Sequence, residues 1–198
     1  MKNKLIITIC FCLIFTTTTF VSCKQERVTK PQNTETGKGK TFVVNKSNDL
    51  MLIGAMSSSG PTLTFNVEAF KDSLKTNDLF NTVEVVQVDY GIENGHEEAY
   101  LTIIGTYNNA TVAFQSILEI ENEKFYINTN KSQTANKTKH TCAGSPCSSC
   151  SFVRGGFLNL KIIGCKCSAD PQNGVCNHTK ETEITWIDTV VTVLIGIL

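Results

Sequence analysis

The sequence predicts an α+β chain: a small antiparallel sheet with one packed helix, then a small disulfide-rich C-terminal module and an apolar tail. Three observations carry this. Residues Val67, Phe70 and Leu74 recur at helical spacing behind Asn66, a capping residue type. Four β-rich segments between positions 83 and 128 are joined by short polar turns. Six cysteines crowd between positions 142 and 176.

The N-terminus comes first in chain order. Lys2 and Lys4 precede residues 5–20, an apolar and Thr-rich run without a charge, and Ser22 stands directly before Cys23. A basic start, an apolar middle and a small residue at the junction are the layout of a secretory signal. The apolar run is shorter than the ~20 residues of a membrane-spanning helix, so cleavage is expected. The junction Phe20-Val21-Ser22-Cys23 resembles the lipobox of bacterial lipoproteins. That resemblance implies removal of residues 1–22, diacylation of the Cys23 thiol and acylation (palmitate type) of the new amino group. Several acyl chains anchor stably, because each buried CH₂ contributes about 0.8 kcal/mol. The implied location is the cell envelope, lipid-anchored to a bacterial membrane: the periplasmic face of the outer membrane or the cell surface. Lys24-Gln25-Glu26 is less acidic than surface-export signals tend to be, which favours the periplasmic face.

The whole chain balances 18 basic against 18 acidic side chains, and losing Lys2 and Lys4 leaves 16 against 18, a net charge of −2. That balance argues against a nucleic-acid partner. Residues 24–40 have no large aliphatic side chain except Val28, so residues 23–40 read as a disordered tether. The remaining length suits one α+β domain, residues 41–139, and a small appendage, residues 140–198.

Within the domain, Leu50, Met51, Leu52 and Ile53 form a short apolar run before a Ser-, Gly- and Pro-containing loop at 57–61. Asn66 starts the helix, which should end near Asn77. Residues 83–90 form a strand with Glu84, Gln87 and Asp89 as its polar positions, and residues 91–95 a turn. Strands at 99–107, 111–119 and 124–128 follow, joined by Asn108-Asn109 and by Glu121-Asn122-Glu123. Joins this short predict hairpins and a three- or four-stranded meander. Residues 130–139 are polar and read as a linker. Beyond them, residues 157–163 are the module's one apolar strand candidate. The tail, 184–198, fits a helix with Thr185, Thr189, Thr192 and Gly196 on one face. It also fits a strand, given Val190, Val191, Val193 and Ile195. Either way it is expected to pack on the sheet.

Nine cysteines are present. Cys10 and Cys12 leave with the signal, and Cys23 is the lipid site. Cys142, Cys147, Cys150, Cys165, Cys167 and Cys176 remain, an even number in an exported chain, which reads as a disulfide framework. Six cysteines allow 15 pairings. Cys165 and Cys167 are not expected to join each other, because one intervening residue strains the bridge. The alternative is zinc. His140, Cys142, Cys147, Cys150, Cys176 and His178 offer thiolate and imidazole ligands at spacings that zinc sites use. Cys142, Cys147 and Cys150 also match the C-x4-C-x2-C spacing of plant-type ferredoxins. However, residues 128–140 do not read as the helix such proteins place before the cluster. Cys147-Ser148-Ser149-Cys150 has the spacing of a thiol redox pair, yet Gly155 and Gly156 leave no helix after it to depress a thiol pKa.

No serine-hydrolase elbow, zinc-hydrolase motif or phosphate-binding glycine loop occurs in the sequence. His96, beside Glu97 and Glu98, reads as the polar tip of a turn. Asp72-Ser73-Leu74 and Asp188-Thr189-Val190 resemble a short bacterial O-glycosylation pattern, and a helix surface or buried strand explains them equally well.

The order Cys142, Cys147, Cys150, Phe152, then Gly164-Cys165-Lys166-Cys167, then Gly174-Val175-Cys176-Asn177-His178-Thr179, behind a lipobox, resembles small lipoproteins of Bacteroidota. The resemblance implies an envelope location and the two-part architecture, with no activity attached. The sequence therefore predicts a non-enzymatic lipoprotein with a binding or structural role and no cofactor. Its expected contacts are the membrane and an envelope protein or glycan. A zinc or thiol redox module is the alternative.

Overall fold

The computed structural model describes residues 49–130, 134–169 and 174–198, so the expected signal, Cys23 and tether lie outside the described residues. Strands β1 (Leu50–Ser57) and β2 (Gly60–Leu63) make a hairpin. Helix α1 (Val67–Thr76) follows where the capping and spacing predict it. The Asn66 carboxamide oxygen accepts the Ala69 N–H at 3.1 Å, and Phe70 and Leu74 are buried.

Strands β3 (Thr82–Glu93), β4 (His96–Tyr107) and β5 (Ala110–Ile117) are the expected consecutive hairpins. The first turn is tighter than the sequence suggests, holding only Asn94 (φ 52°) and Gly95 (φ 77°). Asn108 (φ 48°) and Asn109 (φ 62°) make the second. Two left-handed residues match the twist of the flanking strands, and Asn and Gly reach that region at least cost.

The meander stops there. Strands β6 (Glu119–Glu121) and β7 (Lys124–Asn128) pair together, and β7 joins β1 rather than the expected sheet. The result is a four-stranded sheet in the order β2-β1-β7-β6. Phe125 and Ile127 explain the crossing, since both are buried in the common core.

The edge of β5 goes instead to residues read as a linker. After a single 3-10 turn, β8 (Lys137–Gly144) pairs with β5 from Ser116↔Lys137 to Thr111↔Cys142. Polar composition hid this strand: Lys137, Thr138 and His140 are buried without being apolar. Lys137 donates to the Asn130 carbonyl at 3.3 Å. The expected boundary between residues 139 and 140 falls inside β8, so the cysteine-rich region is built into the main sheet.

Strands β9 (Cys150–Gly155) and β10 (Lys161–Cys167) form a separate ribbon. The strand expected at 157–163 starts later, because Phe157–Asn159 makes a 3-10 turn. Strand β11 (Cys176–Glu181) returns to the sheet beside β8, completing the order β11-β8-β5-β4-β3. The tail resolves as helix α2 (Ile184–Ile197), with Thr185, Thr192 and Gly196 exposed and Thr189 half-buried. No described helix is long and apolar enough to cross a membrane.

One face of the five-stranded sheet, the four-stranded sheet and both helices enclose the core. Leu101, Ile103, Val112 and Phe114 from the sheet meet Phe70, Phe80, Trp186, Ile187, Val190 and Leu194. The class is α+β, though mostly β. The tail, open to helix or strand by sequence, adds a second helix to the expected one, and the sheets are larger than expected.

Candidate functional site

Side chains alternate across a strand, so the other face of the five-stranded sheet carries a second set. Its paired positions are Asp89 and Tyr100, Thr102 and Gln115, Ala113 and His140, and Cys142 with His178. The β9–β10 ribbon lies over this face as a flap, held by bridges and by buried polar contacts.

Three disulfides make the first fastening. Cys142–Cys165 joins β8 to β10, and Cys150–Cys176 joins β9 to β11. Cys147–Cys167 ties the loop before β9 to the end of β10. Their Cα atoms are 5.9, 6.0 and 5.8 Å apart, inside the range that a bridge spans. Cys165 and Cys167 take different partners, as their spacing requires. Cys147 and Cys150 are not bonded to each other, and strand β9 rather than a helix begins at Cys150. Gly144 lies against this group so closely that an added Cβ would stand 2.7 Å from the Cys150 Sγ. Only glycine fits there.

The second fastening is polar. Arg154 on β9 donates to the Asp89 Oδ2 at 2.6 Å, and Thr102 donates to the same oxygen at 2.6 Å. The Gln115 carboxamide donates to the Leu160 carbonyl at 2.9 Å and accepts the Ile162 N–H at 3.1 Å. Asp89 is only 10 % exposed, and its other carboxylate oxygen accepts from the Gln87 carboxamide. Removing one member of a buried ion pair strands the other, a loss of about 3–5 kcal/mol in fully buried cases. Arg154→Leu is expected to destabilise by about 2–3 kcal/mol, because Arg154 itself is partly exposed. Adding Asp89→Asn should recover part of that loss, measured by urea unfolding.

His140 and His178, the two imidazoles of the predicted zinc set, come together. Their rings are parallel within 4°, and Nδ1 of His140 shares a hydrogen bond with Nε2 of His178 at 3.0 Å. Phe152 of the flap meets both rings edge-on, at centroid distances of 6.3 and 6.4 Å. Burial, then the neighbouring His178 and Lys180, pushes His140 down to about 4. Burial and Lys180 lower His178 as well. A histidine held below its unfolded value binds its proton more readily in the unfolded chain, so stability rises with pH across that interval. Stability is therefore expected to fall as pH drops from about 6.5 to about 4. His140→Gln should flatten that slope in a pH series of thermal melts.

The sulfurs group differently from the sequence reading. The Sγ atoms of Cys147, Cys167 and Cys176 lie within 4.8 Å of one another, with Cys150 bonded to Cys176. Cys167, which the predicted zinc set omitted, is inside this group. Neither histidine belongs to it. The Sγ of Cys142 is bridged to Cys165 instead.

Beside the flap a groove of about 1130 Å³ opens to solvent. Its floor includes Val85 and Ile104, and Asn108, Asn109, Ser148 and Ser149 stand along its sides. No signal in the sequence marked it, because its residues come from a hairpin turn and a cysteine loop about 40 positions apart. His96 is exposed at the tip of the first hairpin, its ring edge-on to Phe157 at 5.1 Å.

Fold and site together define a mostly β, α+β domain with a disulfide-stapled flap. Comparison with known proteins finds no matching family model, no matching curated protein and no matching solved structure.

Proposed function

We propose that this chain is a lipid-anchored protein of the bacterial cell envelope with a non-enzymatic binding or structural role. The observation that carries the reading is the placement of the three disulfides. Each closes the flap, either onto the sheet or onto its own approach loop, and together they hold the flap-side surface rigid. Six bridged cysteines suit an oxidising compartment, and the signal ending at Cys23 would deliver the chain there. A rigid surface binds with little ordering cost, which supports the binding reading.

A second reading has its own observation. Reduced, Cys147, Cys150, Cys167 and Cys176 would place four thiolates close enough for a structural zinc site. Zinc would then replace two bridges in closing the flap.

Intact mass without reductant, read beside metal content on protein from its native compartment, separates the two. Three bridges and no metal support the first reading. Free thiols with about one zinc per chain overturn it. The anchor has a separate test: Cys23→Ala is expected to move the protein from the membrane pellet to the soluble fraction. Pelleting that survives the substitution would remove the lipid anchor from the proposal.

A further inference from the structure

We propose that the groove beside the flap binds a neutral oligosaccharide. This deepens the binding reading above and rests on it. At about 1130 Å³ the groove exceeds the usual 300–1,000 Å³ of a small-molecule pocket, so it suits a ligand of several rings.

The groove's chemistry selects the class. Asn108, Asn109, Ser148 and Ser149 are all exposed along it. Amides and hydroxyls both donate and accept, as the hydroxyl groups of a sugar do. Its charged side chains are Glu84 and Arg154, and Arg154 is already engaged with Asp89 at 2.6 Å. Nothing there would clamp a phosphate or a carboxylate. Val85 and Ile104 add a small apolar floor for the C–H faces of sugar rings.

One wall is also set in advance: Ser148 and Ser149 lie between Cys147 and Cys150, both of which are bridged. Preformed walls reduce the ordering cost of binding.

The test is calorimetric titration of the detergent-solubilised full chain with cellohexaose, maltohexaose and mannohexaose, and with a hexauronate as the charged comparison. Saturable binding of at least one neutral hexaose is expected. Asn109→Gly, which removes the carboxamide and tolerates the left-handed backbone of the turn, should weaken it roughly five- to tenfold, the scale of one net hydrogen bond. Ser149→Trp, which fills the groove from an exposed loop, should abolish it. Intact mass and membrane fractionation on the same preparations keep the two readings apart. With three bridges and Cys23-dependent pelleting intact, no binding of any neutral hexaose overturns this inference alone. Preferential binding of the hexauronate, or binding that survives Ser149→Trp, overturns it too.

Discussion

A chain ended before Ile184 is expected to lose cooperative folding. Helix α2 buries Trp186, Ile187, Val190, Val191, Val193 and Leu194. Each buried apolar side chain of this size contributes about 1.5–3 kcal/mol, and the six together roughly 9–18 kcal/mol as an upper bound. A domain's whole stability is about 5–15 kcal/mol. The helix is also central by contact. The Trp186 ring meets Phe80 at 5.5 Å and Phe114 at 6.3 Å, and the Lys139 ammonium sits 5.3 Å from its centroid. Ile187→Ala alone should cost about 2–5 kcal/mol, since Ile187 is fully buried. Urea unfolding followed by near- and far-UV circular dichroism checks both. A truncated chain with a midpoint near that of the full chain would mean the helix only decorates the surface.

Where local chemistry decided the structure, it was readable. Asn66 and the spacing of Phe70 and Leu74 mark α1 because capping and periodicity are local. Asn108-Asn109 marks a hairpin for the same reason. Helix α2 stayed ambiguous because Val190, Val191, Val193 and Ile195 are β-branched, and only packing against the core settles their conformation. Strand β8 was invisible because its buried side chains are Lys137, Thr138, His140 and Cys142, which carry no apolar alternation. The site behaved in the same way. An even set of cysteines predicts bridges, yet the pairing depends on which strands become neighbours. Asp89 stood out as a polar strand position, whereas its partner Arg154 lies 65 residues away. The two histidines do meet, but facing each other rather than a group of sulfurs.

Replacing both halves of Cys150–Cys176 with serine is expected to destabilise the domain by about 2–4 kcal/mol, because that bridge closes a 26-residue span. In a domain of this size that is a fall of roughly 10 °C in Tm. Full reduction should remove a larger sum, of order 6–12 kcal/mol if the three bridges acted independently. They do not, because all three fasten one flap. That sharing makes a further consequence checkable. With the bridges closed the flap cannot leave, so Arg154→Leu leaves the Asp89 carboxylate beneath it without a cationic partner, with only the neutral donors Thr102 and Gln87. With the bridges reduced the flap can lift, and water then reaches Asp89. Arg154→Leu should therefore cost less in the reduced chain than in the oxidised one, read as the difference between two pairs of urea midpoints. Equal costs in both states would mean that the polar contacts hold the flap down without help from sulfur. The groove wall at Ser148 and Ser149 would then survive reduction.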